Sequence, residues 1–357
     1  IPTTAGRLTP AWLTGVLQPL ATPAPEGPGR VTTVEAAPLG VGLGLVGSLH
    51  RLNLTWTAGE GPQSLVAKLP AHGVQTRAVA SALDMYRNEV RFYRRLAGDT
   101  ALAITCHHAD VDDRTHDFVL ILDDMSSATV VDQLAGCPHD RAVEVVLALA
   151  DHHAGFWGET GLDGEPWLRR LGDARLVDPF VAAFRATWPL VRSRFADDLD
   201  ERIVTLGDRF ADVMPALAAD LSQPPCTLSH GDFRLDNMFF ARPGRVRLCD
   251  WQLTDRSRGP RDLAYFLTQS LTPAARAQWE RPLVDLYLER LAHQGVAGYD
   301  AAQAWHDYRV ATVLAFAYPV VAGGGLDLDD PRGLALTRAM LDRSAAAILD
   351  HDGISLG

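Results

Sequence analysis

Lysine is nearly missing from this sequence. Among thirty-three basic residues only Lys68 is a lysine, and all the others are arginine. Such usage points to a high-GC bacterial genome in which lysine codons drift to arginine. A lysine that survives that drift invites a chemical reason. Basic charge is short in total as well: 33 Lys and Arg stand against 44 Asp and Glu, a formal net charge of −11. With no basic stripe to offset this, a nucleic-acid partner is not expected. The four cysteines, Cys106, Cys137, Cys226 and Cys249, lack C-x-x-C spacing, which argues against a disulfide framework or a zinc site. The opening residues, Ile-Pro-Thr-Thr-Ala-Gly-Arg, do not place a basic segment before an apolar one, so no signal peptide is expected. The longest apolar run, Val310 to Leu326, is interrupted by Pro319 and by Gly323, Gly324 and Gly325. It falls short of a membrane span and reads as a buried helix. A cytoplasmic protein without a membrane partner is the expectation.

What is present is ample apolar material. Of 357 residues 47% are hydrophobic, enough for two lobes with cores of their own. Trp12, Leu13, Val16, Leu17 and Leu20 recur at helical spacing after Thr9-Pro10, the pattern of a short amphipathic helix. A strand over 31–37 precedes a glycine-rich stretch with Gly40, Gly42, Gly44 and Gly47, and a second strand follows. Glycines there let backbone N–H groups approach a phosphate unobstructed. The stretch lacks the G-K-[ST] ending and following helix of a P-loop. A third strand, Ser64 to Pro70, carries Lys68 in Val-Ala-Lys. A helix is expected over about 79–96, with Ala82, Met85, Glu89, Phe92 and Leu96 on one face. Glu89 then lies on the buried face and needs a partner; Lys68 is the obvious one. Strands are expected over 101–106 and 117–122, the second an unbroken apolar run that should be interior. Helical patterns dominate after Asp140, over about 140–158, 177–195, 199–220, 273–293, 300–320 and 332–350.

The most informative stretch runs from Thr227 to Asp262. It contains His230-Gly-Asp232, then Asn237 five residues after Asp232, then Asp250-Trp-Gln252. Two short apolar runs, 238–240 and 246–249, flank Arg242-Pro-Gly-Arg245, which is a hairpin signature. A hairpin returns Asp250 beside Asn237, with Asp232 on the loop before it. Three oxygen-bearing side chains then converge, the ligand type that Mg²⁺ takes. The spacing matches the kinase pattern H-R-D-x-x-x-x-N followed by D-F-G. A loop of solvated carboxylates is the plainer reading, but two motifs at matched spacing are far more specific than either alone.

His-Gly-Asp-Phe-Arg-Leu-Asp-Asn and Asp-Trp-Gln, with Asn-Glu-Val-Arg-Phe-Tyr at 88–93 and His-Ala-Gly-Phe-Trp at 153–157, resemble the aminoglycoside-phosphotransferase and choline-kinase-like superfamily. The likeness is greatest to the bacterial ecdysteroid-kinase-like (CHK kinase-like) branch and spans about residues 8 to 290. The resemblance implies an α+β, protein-kinase-like bilobal fold. A small N-lobe, 1–124, would hold an antiparallel sheet and the Glu89 helix. A larger, mainly helical C-lobe, 125–357, would hold the catalytic loop 230–237 and the metal motif 250–252. It implies an enzyme that moves the γ-phosphoryl group of ATP to a hydroxyl of a small molecule with Mg²⁺. Asp232 would be the base, and Arg234 would neutralise charge on the transferring group. Asn237 and Asp250 would hold Mg²⁺. Lys68, held by Glu89, would grip the α/β-phosphates under the glycine loop. Asp123 and Met125 would lie in the hinge that pairs with adenine, and Asp262 would brace the catalytic loop. His230 and His153 read as architectural. A catalytically silent nucleotide-binding protein is an alternative. A protein kinase is disfavoured, since only about eleven residues separate Asp250 from Arg261. Trp251, His306, Tyr308 and Tyr318 are candidates for the acceptor pocket, and Asp327, Asp329 and Asp330 for attracting an amine.

Overall fold

The structure is a computed structural model and describes residues 1–17, 23–24, 27–39, 47–57, 61–242, 244–323 and 331–351. It divides into two compact units, Ile1–Asp99 with Ala103–Ala128, and Thr100–Leu102 with Thr129–Gly357.

The first unit opens with helix α1 (Pro10–Leu17) and a small ribbon of β1 (Pro23–Ala24) and β2 (Gly27–Pro28). Five strands follow: β3 (Val31–Leu39), β4 (Gly47–Trp56), β5 (Ser64–Pro70), β6 (Cys106–Val111) and β7 (Phe118–Asp123). They form one sheet in the order β3-β4-β5-β7-β6, antiparallel throughout. Successive strand residues face opposite sides, and the sheet uses this to make two different surfaces. Leu52, Leu54, Leu65, Ala67, Leu69, Val119 and Ile121 pack on Leu13 and Leu17 of α1. Lys68, one residue out of phase with Ala67 and Leu69, belongs to the other surface, opposite Leu49 and Leu120 in the register.

Two expectations need correction here. The single helix over 79–96 is two helices, α2 (Val74–Ala82) and α3 (Met85–Arg95). Asp84 between them is left-handed, φ 56°, a conformation Asp tolerates better than most residues. The strand over 101–106 does not form, and pairing begins only at Cys106. The unbroken run at 118–122 is interior, between β5 and β6, as its lack of a polar face requires.

The second unit is mainly helical. Its helices are α4 (His139–Gly155), α5 (Ala174–Phe195), α6 (Glu201–Asp220), α7 (Pro260–Ser270), α8 (Pro273–His293), α9 (Ala301–Leu314), α10 (Ala317–Gly323) and α11 (Pro331–Asp350). Among them lie two short antiparallel pairs. One joins β8 (Thr227–Ser229) to β11 (Asp255–Ser257), and the other is the expected hairpin of β9 (Met238–Arg242) and β10 (Arg245–Leu248). The helix expected over 300–320 is split into α9 and α10. Continuing through would press the Pro319 ring against the carbonyl of residue 315, four residues back; as the third residue of a new helix it needs no N–H partner. Helix α7 is not apparent from periodicity. Every one of its residues is buried, so no polar face alternates with an apolar one.

Candidate active site

In the first unit, Lys68 sits on β5 with its ammonium nitrogen 2.8 and 2.7 Å from the two oxygens of Glu89 on α3. Glu89 is wholly buried and Lys68 nearly so. A buried carboxylate is costly unless paired, so this pair fixes the lysine head. Gly47 lies where a Cβ would come 3.2 Å from the Leu69 carbonyl and 3.4 Å from the Lys68 stem. A side chain at that position would crowd the Leu69 carbonyl and pack against the lysine stem. Gly40, Gly42 and Gly44 lie outside the described residues. Asp123 spends its side chain on His107, 2.6 Å away, and the Met125 carbonyl accepts the Ala128 N–H. Beside them Asp124 accepts from Ser64, from Arg51 at 2.9 Å and from the Ser126 N–H. Burial works against that charge, but these donors hold the Asp124 carboxyl below its ordinary range.

In the second unit, the chain leaves β8 at Ser229 and turns sharply at Gly231, whose φ is +85°. A Cβ there would stand 2.2 Å from the Leu253 carbonyl oxygen. The turn is held from behind by α7: Asp262 accepts the N–H groups of His230 at 2.7 Å and Gly231 at 3.1 Å. Burial alone would raise the Asp262 carboxyl, yet His153 and Arg261 pull it well below the carboxylate range. His153, wholly buried, also meets the Tyr287 hydroxyl at 2.8 Å. It is a supporting residue, as is His230.

His230 is the link between the two motifs. Its Nδ1 accepts the Asp232 N–H at 3.2 Å, and its Nε2 lies 2.9 Å from the Cys249 carbonyl. That pattern needs a neutral ring with the proton on Nε2. Burial lowers the pKa in the same sense, against the pull of Asp262 and Asp232. The Cys249 N–H in turn bonds the Asn237 carbonyl at 3.1 Å. Asp250 follows at once in the left-handed region, φ 68°. The hairpin thus brings Asp232, Asn237 and Asp250 into one neighbourhood.

The Asp232 carboxylate is held by three donors. Asn237 Nδ2 reaches Oδ2 at 2.8 Å, the Tyr265 hydroxyl reaches Oδ1 at 2.8 Å, and Arg234 Nε reaches Oδ1 at 3.2 Å. Burial raises its pKa, but Arg234 and these hydrogen bonds outweigh burial and hold it below the usual value. Arg234 also pairs with Asp236 at 2.6 Å. Burial disfavours its charge, but Asp232, Tyr265, Asp236 and Asp250 keep it firmly protonated. The donor chemistry suits a hard cation. Asn237 gives its Nδ2 to Asp232, which leaves Oδ1 as its side-chain ligand atom, and Asp250 adds carboxylate oxygens. Among the described residues no group of three His, Cys, Asp or Glu side chains is gathered as for a metal; this set is two carboxylates and an amide.

The acceptor-pocket candidates fare unevenly. Trp251 is fully buried, packed edge-on to His230 with ring centres 4.6 Å apart. Tyr308 is fully buried too, and its hydroxyl bonds Glu280 at 2.7 Å. Both are core residues, because each polar atom is satisfied internally. His306 is exposed beside Asp220. Tyr318 hydrogen-bonds to the loop, donating to the Gly231 carbonyl at 2.8 Å. Asp327, Asp329 and Asp330 lie outside the described residues. Tyr265 was not singled out by sequence reasoning. It stands three residues after Asp262 on the same face of α7, a helix whose periodicity gives no signal because it is buried all round.

The chain has the protein-kinase-like fold. It is similar to a putative aminoglycoside phosphotransferase from Ralstonia eutropha, at 14% identity over 94% of this chain and 95% of that one, TM-score 0.56. It is also similar to choline kinase from Cryptosporidium parvum, at 11% identity over 89% and 91% of the two chains, TM-score 0.57. A third likeness is to an aminoglycoside 2′-phosphotransferase IIIa in complex with GDP, at 14% identity over 90% and 94%, TM-score 0.52. Residues 165–295 match the model of the ecdysteroid kinase-like family. The resemblance read from the two motifs is therefore borne out. No curated protein matches the sequence.

Proposed function

We propose that this protein is a small-molecule kinase that transfers the γ-phosphoryl group of ATP to an alcohol. The observation that carries this reading is the neutral His230 bridge, which joins the Asp232 loop to the strand end bearing Asp250. Phosphoryl transfer needs positioned charge more than covalent chemistry. The acceptor oxygen bonds to the γ-phosphorus, the bond from that phosphorus to the β,γ-bridging oxygen breaks, and ADP leaves. Asp232 orients the acceptor hydroxyl and takes its proton. Arg234 offsets negative charge on the transferring group. Lys68, fixed by Glu89, grips the α/β-phosphates, with 123–125 supplying the hinge for the base. Asn237 and Asp250 would hold Mg²⁺, which supplies charge neutralisation for the phosphates.

The test is an ATP-consumption screen over aminoglycosides, macrolides, sugars, amino alcohols and sterol-like alcohols, read against Asp250→Asn. Turnover with one of these classes that needs Mg²⁺ and is lost in the variant is the expected result. Binding of Mg-ATP without transfer to any alcohol or to water would favour a silent nucleotide-binding protein instead.

A further inference from the structure

Three donors meet the Asp232 carboxylate, and two of them have other duties. Arg234 divides its guanidinium between Asp232 and Asp236. Asn237 is the residue whose remaining oxygen is proposed to face a cation. Tyr265 is different, because its hydroxyl is given to Asp232 alone, at 2.8 Å from Oδ1. It is also the most buried of the three. It lies on α7 with 3% of its surface exposed, one helical turn beyond Asp262. The same helix therefore holds the loop's backbone through Asp262 and its carboxylate through Tyr265. The Tyr265 ring is clamped in turn: Tyr318 stacks on it with ring centres 4.1 Å apart and planes 20° apart. Tyr318 donates to the Gly231 carbonyl at 2.8 Å and accepts from Arg261, which is anchored on Asp255 at 2.7 Å.

We propose that Tyr265 is the positioning residue of the reaction: its phenol O–H, braced by Tyr318, fixes the rotation of the Asp232 carboxylate so that one oxygen stays aimed at the acceptor hydroxyl. The inference rests on the kinase reading above. A carboxylate held only by Asn237 and by an arginine shared with Asp236 has more freedom to rotate, and misplaced reacting groups lose rate without losing binding. Tyr318 contributes through Tyr265 and through Gly231, so its hydroxyl matters less than that of Tyr265.

The acceptor is not needed for the test, because water can stand in for it. The same phosphorus–oxygen bond breaks, and inorganic phosphate is released from Mg-ATP labelled at the γ-position. Tyr265→Phe, which keeps the ring, is expected to lower kcat between about 10- and 100-fold, the scale of a hydrogen bond to a charged group. KM for ATP and the melting temperature should stay near wild type. In an Asp232→Asn background the same substitution should cost nothing further, whereas a merely structural tyrosine would cost the same in both. An unchanged kcat in Tyr265→Phe, or equal losses in the two backgrounds, overturns the proposal. Should Tyr265→Phe fail to fold, Tyr318→Phe carries the test, with a smaller loss of kcat expected and an unchanged kcat again decisive against it. A wild type silent toward water is assayed with the alcohol that the screen above identifies, with the same losses expected; one silent toward every alcohol as well removes the kinase reading and this inference with it, and is recognised because the wild type itself is silent.

Discussion

Lys68 shows what one residue can reveal. Its rarity raises a chemical question, and its pairing with a wholly buried Glu89 answers it in structural terms. Arginine serves at every other basic position, so a role needing charge alone would survive Lys68→Arg. A guanidinium cannot occupy the place of a compact ammonium, and phosphate transfer should fall sharply in that variant with folding intact. A circular-dichroism melt beside a phosphate-release assay checks both halves. Amine acylation is a second probe, since Lys68 is the sole lysine. Labelling there should be slow and slower still with Mg-ATP. Asp232→Asn should lower kcat by about 10²–10⁴ with nucleotide affinity little changed, as isothermal titration would show. His152 provides a pH test. It is wholly enclosed between the Thr100 hydroxyl and the Leu228 carbonyl, each 2.9 Å from a ring nitrogen. Burial, helped by neighbouring His153, lowers its pKa to about 3. The unfolded chain, with histidine near 6.5, therefore binds the extra proton first as pH falls. Stability from this group is present above about 6.5 and lost on the way down to about 3. Between pH 7.5 and 5.5 that loss is about 1 kcal/mol. Denaturant titrations should show a shallower decline in His152→Gln, and an identical decline would rule the histidine out as a cause.

At the scale of elements, the hairpin and α7 make the instructive contrast. The hairpin was legible because its turn residues and alternating apolar runs are local. Its register puts Met238 opposite Leu248 after a one-residue shift between Arg245 and Val246, and so returns Asp250 to the end of the hairpin where Asn237 stands. Helix α7 was not legible. Its polar residues are buried, and some meet partners far away in sequence, as Asp262 does with His230 and Gly231. Periodicity reports a boundary between water and core, and a helix buried all round has none. The tight turn it supports yields a prediction. In Gly231→Ala the new methyl would meet the Leu253 carbonyl in a left-handed backbone that L side chains rarely adopt. The loop must shift, so activity should be lost, and the melting temperature should fall by several degrees, the equivalent of about 1–3 kcal/mol. Retained activity would show that the loop is not held as described.

At the scale of the whole molecule, each unit has a core of its own. In the first, α1 covers one surface of the sheet with Leu13 and Leu17 fully enclosed. The other surface is thereby left to Lys68. Leu13→Ala should cost about 2–5 kcal/mol of stability, seen as an earlier calorimetric transition, although it touches no residue proposed to act on substrate. Among the described residues no helix is long and apolar enough to cross a membrane. The apolar run at 310–323 instead builds α9 and α10, which are mostly buried within the second unit.

The amino-acid sequence alone picked out the set proposed to bear the chemistry: Lys68 with a carboxylate on the buried face of a helix, and Asp232, Asn237 and Asp250 on a loop and hairpin. These are short-range patterns, carried by residue types and intervals that survive without knowledge of distant contacts. The tertiary structure alone decided how Asp232 is held. Tyr265 and Tyr318 come from helices thirty-three and eighty-six residues further along the chain, and no local pattern records which buried hydroxyl a remote helix will deliver. The reason is physical. A buried polar group must find a partner wherever packing puts one, and packing is settled by the whole core at once.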